Sequence, residues 1–264
     1  MNIIKIGGGS SVNVGGILDD LKKLERPAVI VHGANAWRDE LAGHLNRPIR
    51  RLVSESGRSS VYSDDSLLDL QLMAYAGLRN KRIVEMCQQR GFNAVGLTGL
   101  DGGLVRARRN PGIRIVENNR KRLVRDLSGK PEALNFPLLD YLLKSNYLPV
   151  ITVPFLDERG NAVNSENDDL VSLLHRELQA QRIFFFIEAP GLLRDPLNNS
   201  SIIHRLTPPE LETEITRSDG RMGRKLHALK AILAIPPVTV FICDGRLEHP
   251  VQHALNGSGT CISA

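Results

Sequence analysis

Aromatic residues are scarce in this 264-residue chain: they make up 5% of it, with a single tryptophan. Cysteine is scarcer, at three (Cys87, Cys243, Cys261), and no two form a C-x-x-C pair. An odd, sparse set argues against a disulfide framework and suits the reduced thiols of the cytoplasm. His249 and His253 stand four apart near the C-terminus without a cysteine pair or third ligand, which reads as a solvated helix face rather than a zinc site. No apolar run approaches the ~18 residues of a membrane span. The densest, IFFFI at 183–187, has strand length, and AILAIPPVTVFIC is broken by Pro236 and Pro237. No charged region followed by an apolar core opens the chain, so no signal peptide is expected. Two nucleotide-binding motifs are also missing. The Gly129-Lys130 pair is followed by Pro131, which breaks the P-loop pattern. Val12 stands where a G-x-G-x-x-G fingerprint needs its last glycine.

Acid is nearly absent from one stretch. From Arg106 to Arg125 eight basic residues (Arg106, Arg108, Arg109, Arg114, Arg120, Lys121, Arg122, Arg125) face one acid, Glu117. The stretch carries +7 and the rest of the chain −2, within a net +5. It is either a solvated hairpin face or a docking patch for something acidic. No aromatic lies within it to stack on bases, and no nucleic-acid-binding signature accompanies it, so nucleic acid is not the expected partner.

What is present is an ordinary globular composition, 42% hydrophobic and 24% charged, with strand and helix signals in alternation. IIKI, PAVIVHG, AVGLTG, LPVITVP, RIFFFIE, VTVFICD and GTCIS read as strands. GILDDLKKLER, AWRDELAGHL, SLLDLQLMAYAGLRNKRIVEMCQQR, PEALNFPLLDYLLKS, ENDDLVSLLHREL and RMGRKLHALKAILA read as helices. DERGNAV reads as a turn, and 103–125 as one or two hairpins laid over the body. Such alternation predicts an α/β fold with a mainly parallel sheet covered on both faces. A boundary near residue 155 divides two halves of one sheet rather than two independent domains.

Ligands of such a sheet bind at the carboxyl ends of its strands. KIGGG, VHGAN, LTGLDGG and VPFLDERGN all follow strands, so their glycines face one rim. Glycine triplets are costly to order. Gly7, Gly8 and Gly9, beside a lysine set in an apolar strand, suit either a tight loop or main chain that must come close to an anion.

KIGGG, VHGA, VNSENDD, PGLLRDP and GRMGRK, in that order and spacing over essentially all 264 residues, resemble the amino acid kinase family and its acetylglutamate kinase branch. GLRNKR, GLTGLDGGLVRARR, VEN at 116–118 and DGRLEHPVQHALNGSGT resemble the kinases of [LysW]-aminoadipate and [LysW]-glutamate. The resemblance implies a three-layer α/β/α sandwich, a single domain over 1–264, with an acceptor-substrate lobe at 1–155 and an ATP-binding lobe at 156–264. It implies transfer of the ATP γ-phosphate to a side-chain carboxylate, giving an acyl phosphate in lysine or arginine biosynthesis. The acceptor would be α-aminoadipate or glutamate, attached through its amino group to a small acidic carrier protein, LysW. Lys5 and Lys225 would neutralise the transferring phosphoryl group, with Asp168 pairing with both. Gly7, Gly8, Gly33 and Ala34 would offer main-chain N–H groups, and Asn164 would bind the amino or amide group of the substrate. Gly191, Leu193, Met222 and Lys225 would line the ATP site. Mg²⁺ would come with ATP, held largely by phosphates and water. A homodimer is expected, with contact around 63–91.

Two positions depart from the family's pattern. Ala34 replaces the second glycine of V-H-G-G, narrowing its φ range and putting a Cβ against the site. Val61 in SVYSDDS occupies the place of an arginine that clamps the substrate carboxylate, which valine cannot do. Arg58 is the candidate replacement. The alternatives are a kinase of free N-acetylglutamate or N-acetylaminoadipate, and a catalytically weak regulatory homologue that binds a carrier or nucleic acid.

Overall fold

The computed structural model describes residues 1–24, 27–55, 57, 59–117, 120–195, 197–217 and 220–263. The chain opens with β1 (Asn2–Ile6), α1 (Val14–Leu21), β2 (Ala28–His32) and α2 (Asn35–His44). A short hairpin, β3 (Arg51–Val53) and β4 (Ser59–Val61), leads into α3 (Asp65–Gln71). This helix continues through a π-helical stretch, Leu72–Arg79, into α4 (Asn80–Gln88). Then come β5 (Ala94–Thr98), β6 (Val105–Arg109), β7 (Ile113–Glu117), β8 (Arg120–Val124) and β9 (Gly129–Leu134). They are followed by α5 (Phe136–Lys144), β10 (Leu148–Thr152), β11 (Phe155–Leu156), β12 (Ala162–Val163) and α6 (Asn167–Leu178). The chain ends with β13 (Arg182–Ile187), β14 (Arg205–Leu206), α7 (Pro208–Arg217), α8 (Gly220–Leu233), β15 (Thr239–Asp244), α9 (Pro250–Leu255) and β16 (Thr260–Ser263).

The main sheet has eight strands in the order β14-β16-β15-β13-β1-β2-β10-β5. All its pairs are parallel except β15 with β16. Side chains alternate along β1. Ile3 joins the apolar face built from Val29 and Val31, Leu170 and Leu174 of α6, and Leu226 and Leu229 of α8. Ile4 and Ile6 join the opposite face, with Ile17 and Leu18 of α1, Ile83 of α4 and Val251 of α9. Helices therefore cover both faces, and the fold is the expected α/β/α sandwich. The same alternation puts Lys5 on the Ile3 face, beneath α6 and α8 and near the carboxyl end of its strand.

A four-stranded sheet, β12-β11-β6-β9, and the β7–β8 ribbon are separate from the main sheet. Three local expectations are corrected here. The segment 131–134 is not the start of a helix. It belongs to β9, an edge strand where Pro131 has no ladder donor to lose. The helix begins after Asn135, whose Oδ1 accepts the Leu138 N–H at 3.3 Å. DERGNAV is more than a turn, because Ala162 and Val163 pair with Leu156 and Phe155. His249 is not simply solvated: its Nδ1 lies 3.1 Å from Oδ1 of the buried Asp20. Of the hairpins expected at 103–125, β7–β8 forms one, whereas β6 pairs with β9 and β11. Among the described residues, no helix is long and apolar enough to cross a membrane.

Candidate active site

The sheet changes direction of build at β1. The chain goes from β1 to β2 on one side and returns much later to β13 on the other. In open α/β sheets ligands occupy the crevice at such a switch point. Lys5 stands in β1 opposite Val31 and Phe185, and is buried. Its Nζ forms an ion pair with Asp168 Oδ1 at 2.8 Å. Asp168 lies in the first turn of α6, where the helix dipole favours a carboxylate. Its other oxygen, Oδ2, accepts a hydrogen bond from Lys225 Nζ at 2.9 Å. That ammonium also lies 4.9 Å from the centroid of the Phe185 ring.

Packing fixes these three side chains. Leu170, Val171 and Leu174 seat α6 on β1 and β2, and Leu226, Leu229, Ile232 and Leu233 seat α8 beside it. Ser172 Oγ donates to the Ala228 carbonyl at 3.3 Å and ties the two helices together. Burial by itself would raise the Asp168 pKa; the two ammonium groups outweigh it and hold the carboxyl well below the usual range. Burial pulls Lys225 below the ordinary lysine value, Asp168 opposes that pull, and Lys5 adds to it. Two cations and one anion give the cluster a formal +1, ready for a more highly charged anion.

The glycines do structural work around this cluster. Gly7, Gly8, Gly9 and Gly33 all avoid positive φ, so backbone handedness does not require them. Close approach does. A Cβ on Gly8 would stand 2.9 Å from the Asn35 N and 3.1 Å from the Ala34 N, and one on Gly33 would stand 3.0 Å from the Gly8 Cα. The loop after β1 thus rests on the loop after β2 and on the start of α2, and Ala36 N–H donates to the Gly8 carbonyl at 2.9 Å. Ala34 does not strain this arrangement. It caps α2 with φ −149°, and its methyl is fully buried in the main core.

The remaining expected site residues are placed as follows. Asn164 lies at the end of β12. Its Oδ1 accepts from Gln71 Nε2 at 2.6 Å and its Nδ2 donates to Ser63 Oγ at 3.0 Å. Ser63 belongs to the segment that carries Val61, so this part of the proposed acceptor side is internally bonded. Arg58 lies outside the described residues. Gly191 is buried against the last turn of the chain, where a Cβ would meet Thr260 Oγ1 at 3.0 Å. Leu193 forms an isolated bridge with Ile202. Lys225 extends from α8, and Met222 precedes it by three residues on the same helix.

Two features went unread in the sequence. Glu188, just past β13, accepts from the Ser11 N–H at 2.8 Å and the Ser11 hydroxyl at 2.5 Å. Tyr75, buried in the π-helical stretch, bonds Asn35 Oδ1 at 2.5 Å. An acid after a strand and a tyrosine in a helix are common patterns, and neither signals its partner. Among the described residues, no group of three or more His, Cys, Asp or Glu is arranged to hold a metal ion.

The basic stretch is partly neutralised. Arg108 pairs with Glu132 at 2.9 Å, Arg109 Nη1 lies 4.0 Å from Asp157, and Lys121 pairs with Glu55. Among the described residues Arg106, Arg120 and Arg125 form no ion pair.

Residues 1–244 match the amino acid kinase family. The chain is 35% identical over 269 residues to the [LysW]-aminoadipate kinase of Thermus thermophilus, across 99% of this chain and 100% of that one. It is 32% identical to the [LysW]-aminoadipate kinase of Deinococcus radiodurans, across 100% and 91%. It is 30% identical to a putative [LysW]-aminoadipate/[LysW]-glutamate kinase of Cenarchaeum symbiosum, across 97% and 96%. Among solved structures, smu.665 of Streptococcus mutans matches with a TM-score of 0.78 at 19% identity, covering 100% of this chain and 98% of that one. Carbamate kinase of Giardia matches at 0.67 and 14% identity, covering 99% and 98%. At those identities the likeness is one of fold.

Proposed function

The chain belongs to the amino acid kinase family, and from that premise we propose that it phosphorylates the side-chain carboxylate of α-aminoadipate, or of glutamate, linked to the carrier protein LysW. ATP is the donor and an acyl phosphate the product. The observation that carries this reading is the Lys5–Asp168–Lys225 cluster in the switch-point crevice. Bringing a carboxylate to a triphosphate means bringing two anions together. The reaction needs positioned positive charge more than covalent help from the protein. Lys5, from β1, faces the side where the acceptor enters, and Lys225, from α8, faces the side built by residues 156–264. Asp168 pairs with both ammonium groups and holds them apart without itself transferring a proton. Mg²⁺ enters with the nucleotide, held by its phosphates and by water, and no residue is assigned to it. The acceptor lobe at 1–155, the ATP lobe at 156–264 and a dimer contact near 63–91 belong to the same reading.

The partner side rests on charge. Arg106, Arg120 and Arg125 form no ion pair among the described residues, and they suit an acidic carrier steered by long-range attraction. The ion pairs of Arg108, Arg109 and Lys121 favour the second reading, a kinase of free N-acetylglutamate or N-acetylaminoadipate, because they leave a smaller patch than the sequence suggests. Trapping the acyl phosphate with hydroxylamine decides between them. Turnover on LysW-linked aminoadipate or glutamate, with none on the free acetylated amino acids, is the expected result. Turnover on the free substrates alone would make this an enzyme of the second kind. Turnover on none would leave a binding homologue.

A further inference from the structure

We propose that the side-chain amide of Asn35 is a donor to the reacting anion, held in its working orientation by the buried hydroxyl of Tyr75. This inference deepens the kinase reading above and rests on it. Asn35 is the first residue of α2 and is exposed. Its Nδ2 lies 3.3 Å from the point where a Cβ on Gly8 would be. The amide nitrogen thus stands over the glycine loop that follows Lys5.

The direction of the amide follows from Tyr75. That residue is 4% exposed, and burial pushes its hydroxyl up to about 12, so it stays protonated at neutral pH. Its one proton is available for Asn35 Oδ1. The 2.5 Å separation fits an O–H···O bond and is short for N–H···O. With Oδ1 committed to Tyr75, Nδ2 and its two protons turn toward Gly8 and open space. Two residues that lie 40 apart in sequence therefore fix one donor above the loop. The ligand it fits is an anionic oxygen, from either the acceptor carboxylate or the phosphoryl group in transfer.

The test compares wild type with Asn35→Ala, Asn35→Asp and Tyr75→Phe. ATP and inorganic tripolyphosphate binding are followed by calorimetry, and acyl-phosphate formation gives kcat and the KM for the acceptor. Losing a hydrogen bond to an anion weakens the relevant constant roughly 10- to 100-fold in Asn35→Ala. Asn35→Asp, which sets a like charge over Gly8, falls further. Tyr75→Phe lies between wild type and Asn35→Ala, because the amide remains but is free to turn. A loss confined to the acceptor KM assigns the donor to the carboxylate; weaker ATP and tripolyphosphate binding, or a lower kcat, assigns it to the phosphoryl group. Equal constants in wild type and both Asn35 variants overturn the proposal. If wild type turns over no acceptor, the kinase reading falls, and the tripolyphosphate arm alone then decides: weaker binding by Asn35→Ala upholds a donor to a phosphate oxygen, and unchanged binding by Asn35→Ala overturns the proposal, since no acceptor carboxylate is then left for the amide to serve.

Discussion

Asp168 holds two lysines with one carboxylate, so removing its charge leaves two ammonium groups facing each other in a poorly solvated site. Breaking a buried pair in this way costs about 3–5 kcal/mol. Asp168→Asn is expected to melt at lower temperature and to lose most of its turnover. It also makes a prediction about pH. Asp168 is what opposes the downward pull of burial on Lys225. Without it the lysine loses its proton at lower pH, so the alkaline limb of the kcat/KM profile moves toward neutrality. An unmoved limb would show that Lys225 is not the group titrating there. On the acid side the sign is that of a depressed carboxyl: its stabilisation is present above about pH 4 and lost as pH falls toward its folded value.

This trio was unevenly legible in the chain. A lysine inside an all-apolar strand is poorly explained as a surface residue, so Lys5 announced itself. Asp168 did not, because Asn167 and Asp169 suit a helix start equally well and the family resemblance alone distinguished it. Asn35 carries no such signal, because the departure from V-H-G-G lies at Ala34, whose methyl packs in the core.

Among the elements, the contact of the glycine loop with α2 sets the shape of the crevice. Gly8→Ala places a methyl 2.9 Å from the Asn35 nitrogen and 3.1 Å from the Ala34 nitrogen. Both are main-chain atoms and cannot move aside as a flexible side chain would. The loop must lift off α2, at a cost of about 1–3 kcal/mol. Loss of turnover larger than the drop in stability is expected, read from kcat beside a thermal melt. At this scale the strands were easy to read, because runs such as IFFFI have one plausible use. The helices were harder. The pattern at 66–90 is a single helix by periodicity, yet a π-helical stretch turns Tyr75 inward at its middle. β9 was hidden because PEALNFPLLDYLLKS has helical spacing throughout, and its edge position, which lets Pro131 sit in a strand, is a property of the assembled sheet.

For the whole molecule, the charge map makes a separate prediction. Reversing Arg106, Arg120 and Arg125 to glutamate is expected to raise the KM for a carrier-linked acceptor about tenfold at low salt and little at high salt, since exposed charges are screened. The KM for a free acetylated acceptor stays put. An equal rise for both acceptors would place these arginines near the chemistry and not at a carrier surface.

The order of the strands has a consequence for how the chain acquires its shape. β1 precedes the other strands of the sheet in the chain and sits in the middle of it, between β2 and β13. Its partner Phe185 is 180 positions away in the register that pairs it with Lys5. Until residues 182–187 leave the ribosome, β1 has one paired side and one open side. Pairings that close long loops form slowly, and an open apolar edge invites pairing with other chains. A nascent chain stopped before residue 182 would carry Lys5 and the glycine loop on a bare strand edge. Such a fragment is a poor folding unit and a ready seed for aggregation.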